Sequence, residues 1–173
     1  AGIEFRQGSR CSIGIAKSND GFQQLNELLS AHLLDDEALP ERAPELDDVF
    51  FIHPFSHAPQ QLHPNERVGI RPSDLTRLPF SPWRNRMHDL VALLPVTFHA
   101  EEALRKRDFN THRLLRTVAK NTVVSMLSKE ELAQADEVFR SEEEVHHIYR
   151  DFPQLLTNAD RLLEQCTIAF DGS

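Results

Sequence analysis

The chain has 173 residues, 40% of them hydrophobic, and a formal net charge of −8. That length suits one domain able to bury a core without metal or disulfide staples. No apolar run approaches the ~20 residues of a membrane span, and a net acidic chain is a poor default binder of nucleic acid.

Charge is unevenly spread. Residues 1–82 carry a balance of −5, residues 83–127 of +4 and residues 128–173 of −7. Cys11 and Cys166 are too few for a disulfide framework, so a reducing intracellular compartment, cytoplasmic or nuclear, is expected. A Cys11–Cys166 bridge is the less favoured alternative.

Residues 1–19 read as a flexible or vector-derived N-terminus with no assigned function. Ser18-Asn19-Asp20 offers an N-cap, and Phe22, Leu25, Leu28, Leu29 and Leu33 recur at helical spacing, which predicts a helix over 20–34. Residues 34–48, acidic and broken by Pro40 and Pro44, read as a linker. Val49-Phe50-Phe51-Ile52 predicts a strand or an extended segment pressed on helices. Six prolines between His53 and Pro82 exclude a long helix and a central strand on this reading. Residues 49–82 are therefore expected to wrap, ordered and extended, along a helical body.

Trp83, Met87, Leu90, Val91 and Leu94 fit one helical stripe after Ser81-Pro82, stopped by Pro95. Thr97 is expected to cap a short helix through Leu104, and Asp108 or Asn110 another reaching Leu127, with Leu114, Leu115, Val118 and Val123 or Val124 inward. Ser128-Lys129-Glu130-Glu131 and Ser141-Glu142-Glu143-Glu144 both fit a capping box. A last helix is expected from Thr157 or Asn158 through Leu162 and Leu163. The sum is an all-α fold: a compact bundle of short helices over 20–173, with a Pro/His-rich extended segment packed on it.

Chemistry is sparsely signalled. His53, His57 and His63 share one loop and are weak candidate zinc ligands, completed by Asp47, Asp48 or Glu66. Histidines that hydrogen-bond loop backbone are the favoured reading, and no cofactor is expected. The adjacent acids Asp35-Asp36-Glu37, Asp47-Asp48 and Glu142-Glu143-Glu144 suit solvated faces or helix starts better than a catalytic pair. No phosphate-cradling glycine loop and no nucleophile elbow occurs in the sequence.

What stands out is positive charge on predicted helices: Arg105, Lys106, Arg107, Arg113 and Arg116. These residues are the candidate partner-binding surface. The leading expectation is a non-catalytic protein–protein interaction domain, a scaffold or adaptor that docks an acidic partner. A helical nucleic-acid-binding domain is the alternative, and a metal-dependent enzyme is third.

Overall fold

A computed structural model describes residues 1–7, 10–34, 40, 42–128, 132–134 and 136–169. It overturns the all-α expectation. Among the described residues the chain builds a five-stranded mixed sheet with four α-helices, not a helical bundle. The described chain divides into two compact units: Ala1–Leu93 with Tyr149–Ser173, and Leu94–Ile148.

The first unit contains the sheet. β1 (Gly2–Gln7) and β2 (Arg10–Ala16) pair antiparallel, with Gly2 opposite Ile15. Residues expected to form a flexible tail thus supply two strands. β3 (Val49–Pro54) runs antiparallel to β2, and β4 (Glu66–Ile70) and β5 (Leu90–Ala92) continue parallel to β3. The strand order is β1-β2-β3-β4-β5.

The strand alternative expected for Val49-Phe50-Phe51-Ile52 forms as β3. Val49, Phe50, Phe51, Ile52 and His53 are all buried. A strand covered on both faces carries a continuous apolar run and loses the alternation that marks a half-exposed strand. Alternate side chains of β3 enter different clusters. Val49 and Phe51 join Phe5, Ala16 and Leu25 on one face, beside α1 (Asn19–Leu34). Phe50 and Ile52 join Val91 and Leu162 on the other, beside α4 (Gln154–Leu163). The unit is therefore a sheet between two helical layers. Gly14 permits the close seat of α1, since a Cβ there would lie 2.5 Å from Leu25 Cδ2.

The proline-rich stretch does contain an interior strand. Five residues, Glu66–Ile70, fit between Pro64 and Pro72, and β4 lies between β3 and β5. Proline excludes a ladder position only where it stands. The segment 49–82 is thus not a wrap around helices, because it supplies two inner strands.

The predicted helix from Trp83 is also replaced. Pro82–Asn85 and Met87–Asp89 are 3-10 turns, and Leu90–Ala92 is strand. Arg86 stacks 4.6 Å over the Trp83 ring, and its side chain donates to Asp89 and to the Gln60 carbonyl, each at 2.7 Å. These bonds hold a turned backbone where the apolar spacing suggested a regular helix. Trp83 and Leu90 are nevertheless buried. Asn158 of α4 donates through Nδ2 to the carbonyls of Met87 and Leu90, both at 2.8 Å. The buried Tyr149 hydroxyl donates to the Ile70 carbonyl at 2.7 Å.

The second unit holds α2 (Glu102–Ala119) and α3 (Glu142–Ile148). Two expected helices meet in α2, which ends well before Leu127. Asn121 adopts a left-handed φ of 47°, Thr122 N–H donates to the Thr117 carbonyl at 3.0 Å and Asn121 N–H to Val118 at 3.2 Å. This is a Schellman termination, with asparagine where glycine is commoner. The capping box at α3 forms as the sequence suggests: Ser141 N–H donates to Glu144 at 2.8 Å, and Glu144 N–H to Ser141 Oγ at 3.2 Å. Residues 129–131 of the other box and the acids 35–37 lie outside the described residues.

Candidate functional site

Two groupings carry the polar chemistry. In the first unit, the Glu66 carboxylate is fully buried at the start of β4. Arg42 donates to it at 2.9 Å, the His63 backbone N–H at 2.6 Å, and His53 Nε2 lies 3.0 Å away. Burial pushes this carboxyl up. The bonds from Arg42, from the His63 amide and from His53 together outweigh burial and hold it below its ordinary value. Arg42 also donates to the Gln61 carbonyl at 2.5 Å, so the network ties the 55–65 connection to the sheet.

Two of the three candidate zinc ligands therefore meet around one carboxylate, His53 through its ring and His63 through its backbone. His57 is exposed, with Ser56 Oγ 2.8 Å from its Nδ1. No grouping able to hold a metal ion occurs among the described residues. A buried carboxylate already engaged by a guanidinium braces the fold more readily than it serves as a reactive base.

The second grouping is α2, which carries all five candidate partner-binding residues. The structure does not gather them on one face. Arg105, Arg113 and Arg116 are half-buried, whereas Lys106 and Arg107 are exposed. Arg113 stacks 6.0 Å from the Phe109 ring, and Arg107 Nη2 lies 3.6 Å from Asp108. The stripe Phe109, His112, Arg113, Arg116 and Thr117, spaced for one helical face, is buried or half-buried. The opposite stripe, Arg107, Thr111, Leu114, Leu115 and Val118, is exposed.

The polarity of α2 is thus inverted relative to an ordinary surface helix. Leu114, Leu115 and Val118, expected inward, are 58%, 64% and 78% exposed. Val123 and Met126, just beyond the helix, are exposed as well. The sequence revealed the amphipathic stripes but not which of them faces inward.

The inner stripe is held by polar clamps. Thr97 and Phe98 N–H groups both donate to the Glu137 carbonyl at 2.9 Å, and Thr97 Oγ1 donates to the Glu137 carboxylate at 2.7 Å. Phe98 stands edge-on to Phe109 and to His112, with centroids 5.7 Å apart in each pair. His112 Nε2 accepts the Ala133 N–H at 3.1 Å. Burial lowers the His112 pKa, the positive charge of Arg116 lowers it further, and Glu137 opposes them. The sequence alone assigns His112 no role, because its acceptor function depends on a backbone N–H twenty-one residues away.

No helix among the described residues is long and apolar enough to cross a membrane. The chain matches no family model, no curated protein and no solved structure.

Proposed function

We propose that the chain is a non-catalytic protein-interaction module, and that the outer stripe of α2 is its docking element. The observation that carries this reading is the inversion of α2, which turns Leu114, Leu115 and Val118 to solvent. Leu114, Leu115 and Val118 recur with the spacing by which a helix enters an apolar groove. Exposed apolar groups clustered in this way mark interaction surfaces more often than isolated ones do. Lys106 and Arg107 beside the stripe favour a groove with an acidic rim. Division of the five basic residues between two faces of α2 weighs against a phosphate-tracking surface. The same reading places the module inside the cell, in keeping with the free thiol of Cys166.

The test replaces Leu115 by a photo-crosslinking residue and maps the adducts formed in the native cell. The reading expects adducts on protein segments that combine apolar side chains with Asp or Glu, suppressed by Val118→Glu and weakened by high salt. Adducts to RNA or lipid, or none from a folded protein, would overturn it.

A further inference from the structure

His112 has a geometry that only one of its charge states can satisfy. Its Nε2 accepts the Ala133 N–H, so that nitrogen carries no proton and the ring's proton sits on Nδ1. A proton added to Nε2 would set two N–H donors against each other at 3.1 Å. The ring also stands edge-on to Phe98, whose N–H, with that of Thr97, is bonded to the Glu137 carbonyl. His112 thus joins α2 to Phe98 and to Ala133, and Thr97 and Phe98 are tied in turn to Glu137. Phe98 and Val138 form an isolated parallel bridge within this arrangement.

We propose that His112 is an acid-operated latch: its protonation releases Ala133, and with it Glu137 and Phe98, from α2 and opens the second unit. This inference holds whether or not the outer stripe docks a partner, because it concerns the opposite face of α2.

The charged groups around His112 set the direction. Arg116, one turn along α2, opposes a positive ring. Glu137, from the return segment, favours one. Asp108, one turn earlier, is already engaged by Arg107 at 3.6 Å and lies 3.9 Å from His99 of the 97–101 segment. Arg113, beside the ring on the same stripe, is drawn to Phe109. Burial and Arg116 prevail over Glu137, so the closed state holds His112 below its ordinary value of 6.5. The open state then binds the proton more readily. Stability of the closed unit is present in full above the ordinary histidine value and falls as pH drops through it toward the lowered one. One proton taken up on opening weakens closure by about tenfold per pH unit within that window.

Nuclear magnetic resonance on the full chain tests the latch, by following the His112 ring and the Thr97, Phe98 and Ala133 amides from about pH 7.5 to 5. In the wild-type protein the ring should start with Nε2 unprotonated. The three amides should then lose protection, corrected for intrinsic exchange, by about tenfold per pH unit on the acid side. His112→Gln supplies an acceptor that does not titrate, and its amide protection should stay flat over the same range. The proposal is overturned by pH-independent amides in the wild-type protein, by titration of His112 with Ala133 unmoved, or by the same acid loss in His112→Gln. The wild-type titration decides the matter even if the variant fails to fold.

Discussion

The two units solve the problem of burial in opposite ways. Among the described residues, seventeen of nineteen buried apolar side chains belong to the sheet unit, and the other unit has Phe98 and Val138. Among the same described residues, seven of eleven exposed large apolar side chains belong to the α2 unit. That unit instead buries Thr117 and Glu137. Apolar contact specifies the sheet unit, where a mispaired strand would put its side chains on the wrong face. The α2 unit is specified by directional bonds around Glu137 and His112. Such bonds contribute little net stability when made and cost much when broken, so they fix a geometry without making it strong. The lesson is that this chain stores its stability in one unit and its available apolar surface in the other.

The sharpest way to break the contrast is to remove a large side chain from the sheet unit. Phe51→Ala should cost about 3–5 kcal/mol, read by urea unfolding. A loss below about 1 kcal/mol would mean that the sheet does not carry the core. Glu66→Gln should follow closely, at about 3 kcal/mol near neutral pH, because Arg42 then loses its buried counter-charge. The sign with pH is fixed by the lowered carboxyl. The wild-type contribution is complete above the ordinary value of 4.5 and is lost as pH falls from there through the folded-state value. The Gln variant should lack that component of the acid profile, and an identical profile would remove Glu66 from the account. The smallest effect is expected on α2. Leu114→Ser combined with Leu115→Ser should change stability by no more than about 0.5 kcal/mol, since both residues are already in water. A drop in melting temperature like that of Phe51→Ala would show that the outer stripe is packed.

What could be read from the sequence was mostly local. Ser18 Oγ accepts the Gly21 N–H at 3.1 Å at the head of α1, and Ser141 with Glu144 forms the box at α3. Both signals depend on residues three apart, which a sequence displays directly. The sheet depends on pairings across dozens of residues. Phe51 faces Gly14 on one side and Glu66 on the other, and neither neighbour is visible from Phe51 itself. Leu90 and Val91 fit a helical stripe equally well, and Asn158, Val68 and Gly69 decide the matter from far away in the chain. The five basic residues were visible as a cluster in sequence, but helical geometry divides such a cluster between faces. The Glu66 site is half legible: its histidines stand close together in the sequence, whereas Arg42 lies among acids and prolines that mark a linker.

The bonds from Asn158 to Leu90 and Met87 have a consequence for encounters between copies of the chain. A strand at the end of a sheet is a template that recruits any passing extended peptide. Along β5 the template is occupied by an amide from the chain's own helix, and an incoming strand would have to displace that amide before gaining a hydrogen bond there. Among the described residues no strand pairs with the outer side of β1. Edge-to-edge growth of this sheet is therefore directional: obstructed at β5 and left to β1.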